Sequence, residues 1–464
     1  MYNIESMYVK KFNLDNGVRC LYVSKRDVQI SCINITFRAG AKNECEEQFG
    51  MAHFLEHMFF KGSKKYPHSI DVTAQIESLG GFINAYTTKD TTSFIIKIHT
   101  KYLQEAIDLL AEILINSLFR KKDIEYEKQI VQEEIQSRSD EPDYKIFKEF
   151  YMSIFKDVPL KKDPGGTLVT INNFNRSSLL NFVKKYYTAD NMFITISSNL
   201  RFKRVQSMIR KSAFTTFKAT ETKKNIPFQY IPNETTTVHT VYKNFKQEKM
   251  IIGFPVCNAT NEDVHALNII SALLTGNMSS RLFIDLREKN PLVYNINSST
   301  EYYQDMGIFY IHTEALTENV LDIDNTIMDS AGEFLQSIFG NKKYYDRKKE
   351  KGVLSIIFDN IRDLQRNTIN KKELNAVKQG LIGGLLLESE TSENIISYYE
   401  QECIYNYKHI TSIKQLIKKI EKIKAKDILR ICNKYFTKNT MFITIMGSSS
   451  KSDIENFVTN YKDF

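Results

Sequence analysis

No apolar run in this chain approaches the length of a bilayer span. Gly380 to Leu387 is far too short, since a spanning helix needs roughly twenty residues. No membrane span is therefore expected. The first twenty residues contain neither an apolar signal core nor an arginine-rich leader. The expected address is soluble and intracellular, cytoplasmic rather than mitochondrial. Cysteine is sparse: Cys20, Cys32, Cys45, Cys257, Cys403 and Cys432, with no C-x-x-C pair. That spacing excludes a ribbon-type zinc site and reads as free thiols in a reducing compartment. Basic residues outnumber acidic ones by only 63 to 55, a net charge of +8, and no basic patch is interleaved with aromatics. A nucleic-acid partner is not expected. Apolar content of 42% and charged content of 25% are those of an ordinary globular protein, and 464 residues suit two or three domains.

Histidine is also scarce, at eight residues. Two of those eight fall in His53-Phe54-Leu55-Glu56-His57, an H-x-x-E-H pattern. Chance would give that pattern in roughly one such chain in a hundred. On a helix, positions i, i+3 and i+4 share a face, so His53, Glu56 and His57 point into one small volume. Two imidazoles and a carboxylate are most of a hydrolytic zinc site. The neighbours Phe54, Leu55, Met58, Phe59 and Phe60 are apolar, as for a helix laid against a core.

A catalytic zinc needs a third protein ligand and an open position for water. The segment Asp123 to Arg138 is the best source, because Ile124, Ile130, Val131 and Ile135 form an apolar stripe at helical spacing. Glu127, Val131 and Glu134 lie along one face, and Glu133 points to solvent. Two carboxylates on that face are either solvated or share a cation with the first helix. The spacing alone leaves both readings open, and it does not choose between the two carboxylates.

The chain carries an internal duplication. Lys185-Tyr-Tyr-Thr188 with Met192 to Ile196 recurs 249 residues later as Lys434 to Thr437 with Met441 to Ile445. Ile98-His99-Thr100 recurs 213 residues later as Ile311-His312-Thr313. The difference implies an insertion in the second copy, placed at the Lys-rich stretch 337–372. The shorter offset carries His53, Glu56 and His57 onto Ala266, Ile269 and Ile270, so the second copy keeps a helix without ligands. The polar, proline-containing stretch 215–235 reads as a linker. The expected organisation is a zinc-binding domain over 1–214, the linker, and a homologous domain without zinc ligands over 236–464. Ile33, Ile35 and Phe37, and again Phe94, Ile96 and Ile98, alternate as half-buried strands do, and Lys101 to Ser117 is helical in pattern. Each half reads as α+β.

On these residues the chain resembles the pitrilysin and mitochondrial-processing-peptidase family of zinc peptidases. That family's signature is H-x-x-E-H followed by a glutamate at the spacing seen here between His57 and Glu134. The opening Leu14 to Arg19 matches the family's first strand, and Arg38-Ala39-Gly40, Gly80 to Thr87, Ser280 to Phe283, Leu286 to Lys289 and Tyr294 match further on. The resemblance implies two related domains, each a mostly antiparallel sheet of about six strands packed on helices, together forming half of a clamshell. It implies one zinc per chain held by His53, His57 and Glu134, with Glu56 as catalytic base and Glu127 as supporting acid. It implies that Asn84 and Ala85, on a strand after Gly80-Gly81, line a groove where substrate adds as a β-strand. It implies that Arg287 and Tyr294 bind substrate. Relatives with four such domains are about twice this length, so a homodimer or a heterodimer with a related subunit is expected, with Arg287 and Tyr294 acting across its boundary. The expected activity is hydrolysis of unfolded peptides or targeting sequences. The competing expectation is a non-catalytic scaffold or partner subunit, and retention of every ligand argues against it.

Overall fold

The computed structural model describes residues 7–220, 228, 230–231, 233–322 and 351–461. Two sheets organise it. The first has strands β1 (Val9–Asn13), β2 (Arg19–Ser24), β3 (Ile30–Phe37), β4 (Phe82–Thr87), β5 (Thr92–His99) and β6 (Met192–Ser198), in the order β1-β2-β6-β3-β5-β4. The second has β7 (Thr237–Tyr242), β8 (Gln247–Val256), β9 (Val293–Tyr302), β10 (Gly307–Leu316) and β11 (Phe442–Gly447), in the order β7-β11-β8-β10-β9. Neighbours are antiparallel except β2 with β6 and β7 with β11. The second sheet is thus the first without β1. The duplicated segments sit on corresponding strands: Ile98 on β5 and Ile311 on β10, Ile194 on β6 and Ile443 on β11.

Among the described residues sixteen helices pack on these sheets. The first half contributes α1 (Met51–Phe59), α2 (Ser69–Glu77), α3 (Leu103–Asn116), α4 (Lys121–Asp140), α5 (Pro142–Ile154), α6 (Leu168–Asn173), α7 (Arg176–Tyr186) and α8 (Phe202–Lys211). The second contributes α9 (Val264–Thr275), α10 (Arg281–Phe283), α11 (Val353–Arg366), α12 (Lys371–Glu388), α13 (Ser392–Asn406), α14 (Ile413–Lys422), α15 (Ala425–Tyr435) and α16 (Lys451–Asn460). The fold is α+β in two sheet-and-helix units, as expected. Among the described residues no helix is long and apolar enough to cross a membrane.

Two expectations are corrected. Leu14 to Arg19 is mostly the turn of the β1–β2 hairpin rather than a strand, with Gly17 at φ +95°. The central strands are not half-buried, because β3 and β6 bury both faces. One face of the first sheet packs on the chain's own α1 and α3 through Ile33, Ile35, Phe37, Phe54, Leu55 and Leu110. The other face is covered by α13 from the second half, where Leu21, Val23 and Phe193 meet Ile395, Tyr399 and Cys403. The exchange is mutual. Ile146, Phe150 and Ile154 of α5 pack against Ile251, Ile308, Phe442 and Met446 of the second sheet. Gly253 makes room for it, since a Cβ there would stand 2.4 Å from the Phe150 ring. The Lys-rich insertion expected over 337–372 lies only partly within the described residues. Residues up to 350 lie outside the described ones, and beyond them α11 is core, with Val353, Leu354, Ile357, Phe358 and Ile361 fully buried. The expected linker, 215–235, lies partly outside the described residues.

Candidate metal centre

Helix α1 begins at Gly50, whose φ of +88° turns the chain into the helix. The buried Glu44 carboxyl accepts the backbone N–H groups of Gly50 and Ala52, each at 2.9 Å. Two of the amides that a helix start leaves unpaired are thereby satisfied. Met51, Phe54, Leu55, Met58 and Phe59 are buried in the core, which leaves the face of His53, Glu56 and His57 turned toward α4 and β4. On α4, Ile124 and Val131 are buried and anchor the helix, while Glu133 is exposed, as its spacing indicated.

Three donor atoms converge between the two helices. His53 Nε2 and His57 Nε2 are 3.3 Å apart, and Glu134 Oε2 lies 3.7 Å from the first and 3.6 Å from the second. A tetrahedral ion with bonds of about 2.1 Å places its ligand atoms about 3.4 Å apart. The triangle fits that requirement. Among the described residues this is the one group of His, Cys, Asp or Glu side chains close enough to share a cation.

The surroundings set the protonation of the two imidazoles differently. Burial, with His57 and Arg138 nearby, holds His53 down at about 3, so it is neutral, with one ring nitrogen able to offer its lone pair. Burial also pulls His57 down, but the hydrogen bond and charge of Glu127 outweigh it and the net shift is upward. Glu127 Oε1 accepts from His57 Nδ1 at 2.8 Å, which leaves Nε2 facing the cluster. Glu127 is 2% exposed on its side chain and its other oxygen meets Lys61 Nζ at 2.5 Å. Its own burial would raise it, but His57 and Lys61 hold it below the usual carboxylate range. Glu134 is split likewise: Oε2 faces the histidines and Oε1 meets Arg138 Nη2 at 2.5 Å. The two acids left open by helix spacing therefore occupy distinct places. Glu134 stands at the Nε2 atoms and Glu127 behind His57.

Glu56 is not part of the triangle. Its Oε2 accepts from Thr87 Oγ1 of β4 at 2.6 Å. Burial raises its pKa, and the Thr87 hydrogen bond only partly offsets that. Glu56 and His53 line a cleft of about 890 Å³ whose far wall comes from the second half, with Glu301, Tyr302 and Tyr303 at the β9–β10 turn and Tyr398 and Tyr405 of α13.

The sequence-predicted substrate residues divide. Strand β4 is an edge, paired only with β5. Ala85 lines the cleft, while Asn84 is exposed beside it on β4. Arg287, on a π-helical turn over Ile284–Lys289, stacks its guanidinium 5.0 Å from the ring of Tyr294 at the start of β9, and Tyr294 is 76% exposed. Neither lines the cleft, so the chain does not bring them to the cluster within one molecule. Sequence reasoning missed Lys61 and Arg138. Each stands four residues beyond His57 or Glu134, a spacing that could have flagged them. It also missed the wall from the second half, for which no local signal exists.

Residues 19–167 match insulinase (peptidase family M16), and residues 173–350 match the peptidase M16 inactive domain. An uncharacterized zinc protease of Rickettsia bellii is 32% identical over 64% of this chain and 71% of its own length. The chain belongs to the M16 peptidase family. An uncharacterized zinc protease of Rickettsia felis is 28% identical over 96% of this chain and 98% of its own length. Among solved structures, a protease from Helicobacter pylori superposes with a TM-score of 0.81 at 21% identity, covering 95% of this chain and 99% of that one. A structure of the M16 inactive domain from Pseudomonas fluorescens superposes at 0.79 with 16% identity, covering 96% and 98%. Ala266, Ile269 and Ile270, which the 213-residue offset sets against the motif, are buried in α9 inside the stretch matched by the inactive domain.

Proposed function

We propose that this M16 chain is a zinc metalloendopeptidase acting on unfolded peptides. The reading rests on the triangle of His53 Nε2, His57 Nε2 and Glu134 Oε2, with Glu56 unligated beside it at the wall of the cleft. His53, His57 and Glu134 would hold the ion, and bound zinc supplies Lewis acidity toward a water and a scissile carbonyl. Glu56 takes the proton of the attacking water and delivers it to the leaving amine. Thr87 aims Glu56 by its hydrogen bond. Glu127, held by Lys61, fixes the ring of His57. An extended peptide lies along the free edge of β4, past Asn84 and Ala85, by main-chain pairing. The exposed Arg287–Tyr294 stack serves a substrate held by a second chain, in a homodimer or with a related subunit.

Glu56→Gln should retain one zinc per chain and lose about 10²- to 10⁴-fold in cleavage of a quenched peptide. His53→Ala should lose both zinc and activity, and a chelator should abolish wild-type cleavage. Wild-type rates in Glu56→Gln would sink the assignment. Sedimentation of the active enzyme tests the dimer, and a fully active monomer would overturn it.

A further inference from the structure

The edge strand β4 is held by the half of the chain that, among the described residues, carries no candidate metal ligand. Glu400 of α13 is 2% exposed and lies on the face of the first sheet opposite α1. Its carboxyl accepts hydroxyl hydrogen bonds from three consecutive strands: Thr36 of β3 at 2.8 Å, Ser93 of β5, and Tyr86 of β4. Five residues further on, Tyr405 donates to Asp90 Oδ2 at 2.6 Å, in the turn between β4 and β5. Asp90 is also paired with Lys42 at 2.7 Å. Helix α13 thus grips the β4–β5 hairpin at its body and at its tip.

Packing alone does not call for a carboxyl at this place. An apolar side chain would fill the same volume but leave the hydroxyls of Thr36, Ser93 and Tyr86 without this acceptor. The carboxyl does something that packing cannot, which is to tie three strands to one point. Strand β4 needs such a tie. It has a ladder on one side only, and edge strands open more readily than central ones. Tyr86 is the residue next to Thr87, and the two point to opposite faces of the strand. Tyr86 is bound to Glu400 and Thr87 to Glu56. Fixing one fixes the orientation of the other, and with it the free main-chain edge at Ala85.

We infer that Glu400 is a positioning residue which, through Tyr86, keeps β4 in register as the template on which the main chain of an extended peptide pairs beside Glu56. The inference rests on the peptidase reading above.

The test uses full-length, zinc-loaded enzyme carrying Glu400→Leu, with Tyr86→Phe as a variant that keeps the ring and removes one hydroxyl. Amide exchange at residues 82–87 should rise by about tenfold in each variant, the scale of the one hydrogen bond that β4 itself loses, the one from Tyr86. KM for a ten-residue peptide should rise about three- to tenfold on the same scale. Zinc content and kcat on a tripeptide, which cannot span the strand, should stay as in wild type. Unchanged β4 exchange with unchanged KM for the long peptide would overturn the inference while leaving the peptidase reading intact. Equal losses on both substrates, or loss of zinc, would also overturn it by making Glu400 a general structural residue. Wild-type enzyme that holds zinc and cleaves neither substrate would overturn both readings together.

Discussion

A single hydroxyl governs how much of the proposed base is usable. Burial raises the pKa of Glu56, and the largest opposing effect is the hydrogen bond from Thr87 at 2.6 Å. A carboxyl acts as a base only when ionised, so a raised pKa moves the acid limb of the rate profile to higher pH. Thr87→Val should therefore raise the Glu56 pKa further, shift the acid limb of kcat/KM upward, and lower kcat about ten- to a hundredfold, the worth of one hydrogen bond to a charged group. Activity at pH 6 should fall more than activity at pH 8, and zinc content should not change. Thr87→Ser, which keeps the hydroxyl, should stay near wild type. A pH–rate profile of Thr87→Val that overlays the wild type would remove Thr87 from the mechanism. At this scale the sequence was informative wherever residues share a helix. Spacing puts His53, Glu56 and His57 on one helix face and Glu127 with Glu134 on another, and the family resemblance separates the two acids, whereas Thr87 touches Glu56 across a fold that no local pattern encodes.

At the scale of elements, the position of α1 depends on a close backbone contact at its start. Gly50 abuts the Gly165–Gly166 turn. A Cβ on Gly166, at φ +73°, would stand 2.4 Å from the Phe49 carbonyl oxygen, and one on Gly50 would stand 2.9 Å from Gly166 Cα. Gly166→Ala should cost about 2–4 kcal/mol from backbone strain and displacement of α1, read as a lower urea midpoint with weaker zinc binding. An unchanged midpoint would show that the turn yields freely. A second joint ties α15 to the start of α9. Asp263 accepts from Arg430 at 2.8 Å, Lys434 at 2.7 Å and Tyr435 at 2.9 Å. Burial would raise its pKa, but these partners pull it from 3.8 down to about 2. A depressed carboxylate stabilises the fold above its ordinary pKa and loses that contribution as pH falls toward the folded value. Asp263→Asn should cost about 1 kcal/mol at pH 7, since the basic partners are half exposed. The gap between variant and wild type should narrow as pH falls from 5 toward 2. A gap that is constant with pH would mean the joint is packing rather than charge. Helices α3 and α4 were legible because amphipathic periodicity survives in any context. Helix α11 was not, because the Lys-rich stretch running up to it masked an apolar stripe that is fully buried.

For the whole molecule, the duplication in the sequence predicts two similar units, and the two sheets bear that out strand by strand. What it hides is which helix covers which sheet. An amphipathic helix shows an apolar face to whatever is there, so α5 and α13 read the same whether they cover their own sheet or the other one. Even the half-buried pattern expected of β3 was misleading: Asn34 and Thr36 are as buried as Ile33 and Ile35, because α13 covers them. The exchange has an energetic consequence. Residues 1–214 alone would expose Leu21, Val23 and Phe193 on the sheet and Ile146, Phe150 and Ile154 on α5, all buried in the intact chain. At about 1.5–3 kcal/mol per large apolar side chain, those six forfeit roughly 9–18 kcal/mol, as much as the entire net stability of a typical domain, about 5–15 kcal/mol. The fragment 1–214 should therefore be insoluble or molten when made alone. Co-expression with 236–464 should restore a soluble complex with a single unfolding transition and peptide cleavage. A soluble 1–214 fragment with its own cooperative unfolding transition would show that the reciprocal helices are ornaments on two self-sufficient domains rather than the joint on which each depends.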